Sequence, residues 1–250
     1  MSLPHFALIT GWATPVSTLD RLTAPLAAAG LADVDRYDFH GAHEEAQITD
    51  GPSSYAKAIM AELPSDDRPL LLAGWSTGAL IALEIAAAWP DRVAGLVLIS
   101  GTACFCAQPD YDAGVPPRIV KAMQRRLPRQ PEDMLSEFFM QATAPEPLPD
   151  ANRKGLVHDA LKLGAPALAA GLSYLRRTDC RHVLTAIRAP VLLLHGQADA
   201  IVPVAAAHYL EATLPNARLH EIANGSHALP LLAPERLVGH IVAFANTIDS

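Results

Sequence analysis

The chain has 250 residues, half of them hydrophobic and 18% charged, which is enough apolar material for one sizeable core and excludes a disordered chain. A formal net charge of −7, with no nucleic-acid motif, argues against a nucleic-acid binder. Three cysteines, Cys104, Cys106 and Cys180, make neither a disulfide framework nor a zinc spacing, and no run approaches the roughly 20 apolar residues of a membrane span.

In chain order, strands are expected over residues 5–10, 34–39, 69–73, 93–100, 190–195 and 218–222. Helices are expected over 18–29, 54–62, 77–89, 204–214 and 234–247. Such alternation implies a parallel sheet covered by helices on both faces, with right-handed crossovers placing all strand C-termini at one edge. Sites of open α/β sheets collect at that edge. The first strand has no basic segment before Phe6-Ala7-Leu8-Ile9, so it reads as a strand rather than a signal peptide. It runs into Thr10-Gly11-Trp12-Ala13.

The third strand leads into Gly74-Trp75-Ser76-Thr77-Gly78, and an Ala-rich helix follows at once. Strand, Gly-x-Ser-x-Gly, helix is the layout of a nucleophile elbow. A serine on so tight a turn is pushed out at the sheet edge, at a helix N-terminus that favours developing negative charge. Gly74 and Gly78 would let strand and helix approach closely.

From 104 to 182 the alternation stops. The stretch is rich in proline and carries helical patches over 118–127, 131–142, 151–163 and near 166–177. It reads as a helical cap inserted into a core made of 1–103 and 183–250. Cys104 and Cys106 open it, either as a redox pair or as buried free thiols.

A serine hydroxyl needs a base, and the base an orienting acid, in the chain order Ser, Asp or Glu, His. The strand 190–195 is followed by Gly196-Gln197-Ala198-Asp199, which makes Asp199 the candidate acid, against the alternative of a plain turn-former or helix cap. After the position that ends the fourth strand stands Gly101-Thr102-Ala103, with no carboxylate. The last strand leads to Asn224-Gly225-Ser226-His227, so His227 is the candidate base; His195, at a strand end, is a supporting group. The oxyanion would take the backbone N–H of Thr77 and that of Trp12, whose indole either walls the acyl pocket or serves as packing.

Together these segments resemble the α/β-hydrolase family, and more narrowly the pimeloyl-[acyl-carrier protein] methyl ester esterases of biotin synthesis. The resemblance spans nearly the whole chain. It rests on Gly11-Trp12, Gly74-Trp75-Ser76-Thr77-Gly78, Ala103-Cys104-Phe105-Cys106-Ala107, the stretch from Leu172 to Arg181, the stretch from Gly196 to Pro203 and Gly225-Ser226-His227-Ala228-Leu229-Pro230. It implies a serine esterase that frees pimeloyl-carrier and methanol, acts in the cytoplasm and needs no cofactor or metal. Two departures stand out. The family usually has His where this chain has Thr10, and its carrier-binding arginines on cap helices have no counterpart around Phe138-Phe139.

Charge suggests where a carrier would bind. Residues 104–185 hold 11 Lys and Arg against 9 Asp and Glu, leaving 8 against 17 elsewhere. An acidic carrier would be steered to the less repulsive cap. Arg118, Lys121 and Arg125 recur at helical spacing there and are the candidate contacts, or else simply a solvated basic face. The expectation is a monomeric, soluble carboxylesterase acting on an acyl ester, presented by acyl carrier protein. Alternatives are a general esterase, a carbon–carbon bond hydrolase and a ligand-binding relative without turnover.

Overall fold

The structure, a computed structural model, describes residues 5–31, 34–40, 51–64 and 68–248. Strands β1 His5–Ile9, β2 Val34–Tyr37, β3 Leu70–Trp75, β4 Val93–Ile99, β5 Val191–Gly196 and β6 Ala217–Ile222 form one sheet in the order β2-β1-β3-β4-β5-β6. Every pairing is parallel. The sequences explain the order. HFALI, LLLAGW and VLLLHG are buried at every residue, as strands covered on both faces must be, while VDRY and ARLHEI carry the polar groups of edge strands. Successive side chains of β3 go to opposite cores: Leu70 and Leu72 to one face, Leu71 and Ala73 to the other.

The crossover helices are α1 Asp20–Ala28, α2 Ser54–Glu62, α3 Thr77–Ala88 and, later in the chain, α8 Val204–Thr213 and α10 Pro234–Ile248. Helix α3 reads TGALIALEIAAA and is buried almost all round, packing on β1, β3 and β4. The predicted helix 18–29 begins instead as a 3-10 turn, Val16–Leu19, and becomes α-helical only at Asp20. Strand β3 runs two residues past the expected 73, so Gly74 and Trp75 are still strand when the chain turns at Ser76. A four-residue helix, α9 Leu229–Leu232, was not expected. It is too short for periodicity to register, and Pro230 in its first turn reads as loop in sequence.

Between β4 and β5 stand α4 Pro117–Arg126, α5 Pro131–Thr143, α6 Asp150–Lys162 and α7 Ala165–Arg177, each within a residue or two of the expected patches. Pro117, Pro131 and Pro166 sit in first turns, where a missing N–H costs nothing. The chain leaves and returns at one place: Cys104 bridges Asp179, and Cys180 N–H donates to Ala103 O at 2.8 Å. All three cysteines are free and buried, and burial pushes the Cys104 thiol up to about 11. The redox alternative for Cys104 and Cys106 therefore gives way to packing. No helix among the described residues is long and apolar enough to cross a membrane.

Candidate active site

Ser76 is placed by a backbone that few residues tolerate, with φ 56° and ψ −115°. The flanking glycines are steric requirements. A Cβ on Gly74 would lie 2.2 Å from Gly78 O, and one on Gly78 would lie 2.5 Å from Ile9 O. Strand β3, helix α3 and the end of β1 meet there at a distance no other residue permits.

The structure brings the three predicted side chains together. Ser76 Oγ–H donates to His227 Nε2 at 2.9 Å, and His227 Nδ1–H donates to Asp199 Oδ2 at 2.8 Å. Asp199 Oδ1 accepts the backbone N–H groups of Ile201 and Val202, both at 2.8 Å. Burial by itself would raise the Asp199 carboxyl, but the facing His227, with His195 and the loop amide of Val202, holds it below the ordinary value. The carboxylate therefore stays ionised with no exposure of its side chain. Gly196 lets the two loops close on each other, since a Cβ there would lie 2.2 Å from Gly225 O.

His195 is the supporting group that its strand-end position suggested. Burial pushes it down, so it remains a neutral imidazole. Its Nε2–H donates to Val202 O at 2.9 Å, and Asp199 Oδ2 lies 3.4 Å from the same nitrogen. Two further residues were missed by sequence reasoning. Trp75 Nε1–H and Ser100 Oγ–H both donate to His227 O, at 3.0 and 3.1 Å, and fix the backbone that carries the imidazole. Ser100 follows β4 with φ 49°, just before the Gly101-Thr102-Ala103 stretch that was read only for a carboxylate. A partner 127 residues away leaves no local signal.

Thr77 opens α3, so its N–H has no place in the helical ladder. Trp12 follows the end of β1, and Gly11 packs against Ser76, its ideal Cβ 3.3 Å from that of Ser76. Both amides belong to the turns that surround Ser76. The Trp12 indole is packed and also faces a cavity. It is buried, it donates from Nε1 to Leu168 O at 2.9 Å, and it lines a cavity with Ser76.

That cavity holds about 260 Å³ and runs between α4, α5 and α7. Its walls are apolar (Phe105, Ile119, Met123, Met134, Leu172, Leu175), and polarity enters only beside Ser76 and at Arg126, Glu137 and Gln141. Arg126 and Glu137 form a two-pronged ion pair at 2.6 and 2.8 Å across α4 and α5. Ile119 lines the cavity yet is 45% exposed, which marks an open end. Arg118, Lys121 and Arg125 are exposed on α4, the helix that carries Ile119. Among the described residues no cluster of His, Cys, Asp or Glu could hold a metal ion.

Known proteins resemble this chain in sequence and in fold. The family model described as serine aminopeptidase, S33, matches residues 12–231. A pimeloyl-[acyl-carrier protein] methyl ester esterase of Aromatoleum aromaticum is 33% identical, covering 94% of this chain and 95% of the relative. One of the same name from Nitrosomonas europaea is 30% identical over 94% and 93%. The crystal structure of a bromoperoxidase from Bacillus anthracis superposes with a TM-score of 0.86 at 18% identity, covering 98% of this chain and 92% of that one, which is a likeness of fold alone.

Proposed function

Because this chain belongs to the serine aminopeptidase S33 family of α/β-hydrolases and is an enzyme of esterase kin, we propose that it hydrolyses the methyl ester of a pimeloyl group borne by acyl carrier protein. The observation that carries the reading is the relay from Ser76 through His227 to Asp199, opening on an apolar cavity shaped for an acyl chain. His227 takes the Ser76 proton as Oγ attacks the ester carbonyl. The Trp12 and Thr77 amides hold the resulting oxyanion, and Asp199 keeps the imidazole in the required tautomer and stabilises its cation. Methanol leaves, and water releases the acyl group from Ser76. Residues 104–182 act as the cap that walls the acyl cavity.

The relatives' names supply the substrate, and charge supplies the docking face. Arg118, Lys121 and Arg125 stand exposed beside the open end of the cavity, where an acidic carrier would meet the least repulsion. The test compares a carrier-borne pimeloyl methyl ester with free methyl hexanoate, using wild type, Ser76→Ala and the triple change of Arg118, Lys121 and Arg125 to Glu. Ser76→Ala is expected to abolish turnover of both while remaining folded. The triple variant should lose at least tenfold in kcat/KM on the carrier substrate only, with the wild-type preference shrinking as salt rises. Equal loss on both substrates would remove the docking face, and turnover by Ser76→Ala would remove the nucleophile.

A further inference from the structure

Ser76 stands where two cavities meet. Besides the acyl cavity there is a second of about 10 Å³, whose walls include Trp75, Phe139, Ala142, His227 and Leu231. That is room for one water-sized group. Trp12 and Phe138 line both cavities and pack edge to face with centroids 5.0 Å apart, so their rings form the partition.

His227 lines the small cavity and not the large one. In ester hydrolysis the base returns its proton to the departing alcohol, so the alkoxy oxygen must lie on the side that the imidazole faces. We propose that the small cavity is the alcohol subsite, that Phe139, Ala142 and Leu231 limit it to a methyl group, and that alcohol size is the main selectivity of this enzyme. The proposal rests on the esterase reading above and adds to it the part of the ester the relay expels.

The walls are fixed. Phe139, Ala142 and Leu231 are 2%, 4% and 9% exposed, and Ala142 O accepts the Ala228 N–H at 3.0 Å, next to the base itself. The chemistry uses the same space twice. First the Ser76 Oγ–acyl bond forms and the acyl–OCH₃ bond breaks, with the proton on His227 Nε2 passing to the methoxy oxygen. Methanol leaves and a water takes its place. That water gives a proton to Nε2 as its oxygen attacks the acyl carbon, and Ser76 Oγ departs with the proton. The products are one methanol and one carboxylic acid.

The experiment holds the acyl group constant, with methyl, ethyl, n-propyl and benzyl hexanoates as probes, in wild type and in Leu231→Ala. In wild type kcat/KM should fall about tenfold or more with each added methylene. Leu231→Ala should raise the ethyl-to-methyl ratio at least tenfold. A ratio taken within one preparation does not depend on how much of it is folded, and Ala142→Gly opens the facing wall if Leu231→Ala yields no protein. Wild type cleaving the propyl or benzyl ester as fast as the methyl ester would overturn the subsite and leave the esterase reading standing. Unchanged ratios in both variants would overturn the assigned walls. Hydrolysis of none of the four, nor of the carrier ester, would remove the esterase reading and this proposal with it.

Discussion

Replacing Asp199 with Asn perturbs the relay where the structure constrains it most. The carboxylate accepts on both oxygens: two loop amides at 2.8 Å on Oδ1, and His227 Nδ1–H at 2.8 Å on Oδ2. An amide has one accepting and one donating end, so it can serve only one side. Turning its NH₂ toward Ile201 and Val202 would strand two N–H donors, at about 1–3 kcal/mol each. Turning it toward His227 opposes one donor only. The carbonyl therefore stays on the loop, and the NH₂ faces Nδ1. The imidazole can accept from that NH₂ only by carrying its own proton on Nε2, where it no longer accepts from Ser76. The expected loss in kcat is about 10⁴-fold, or about 5.5 kcal/mol, as blocking the tautomer does in other Ser-His-Asp enzymes. KM should change by less than about threefold, because the acyl cavity is untouched. Acid release from a methyl ester, followed by pH-stat beside a thermal melt, measures both. A loss under tenfold with an unchanged melt would refute the assignment of Asp199.

Gly171 tests the Trp12 partition: an ideal Cβ there lies 2.5 Å from Trp12 Cδ1, so Gly171→Ala must turn the ring and weaken its bond to Leu168 O. A cost of about 1–3 kcal/mol and a shifted tryptophan emission are expected, and an unchanged spectrum with full stability would contradict the packing described. Glu84 offers a pH test away from the site. Burial raises its carboxyl above the ordinary value, outweighing the hydroxyls of Ser53 and Tyr174 that donate to it. A raised folded pKa contributes stability below the unfolded value of about 4.3 and loses it as pH rises through the folded value. Glu84→Gln should therefore gain on wild type from pH 5 to pH 8 in urea unfolding, and parallel pH curves would refute this. Glu84→Leu strands both hydroxyls and should cost about 2 kcal/mol or more at either pH.

The strands and the three side chains that the structure brings together were legible because their signals are local. Fully apolar runs such as LLLA and VLLL, short and each preceded by proline, read as strands covered on both faces, and Gly-x-Ser-x-Gly between strand and helix leaves little choice of turn. Asp199 and His227 followed from chain order at strand ends. The groups that hold them did not. Ser100 and Trp75 act on His227 O from 127 and 152 residues away, and nothing in their neighbourhood announces it. Leu231 sits on a helix of four residues that no periodicity detects, and Phe138 reads as ordinary core until α5 is seen to cross Trp12. The helix expected from residue 18 starts later because Val16–Leu19 winds as 3-10 before Asp20, a distinction in hydrogen bonding that composition does not carry.

Two hydrogen bonds tie the helices between β4 and β5 to the loops of the sheet edge. Trp12 Nε1–H reaches Leu168 O on α7, and Ala228 N–H reaches Ala142 O on α5, one residue past His227. Lifting those helices like a lid would drag the imidazole with them. On the function proposed above, a substrate would be threaded instead, lengthwise from the end where Ile119 and Arg126 stand, methyl group leading and the carrier left outside. Threading favours slender, unbranched chains, so the bonds that steady the base also filter the shape of what reaches it.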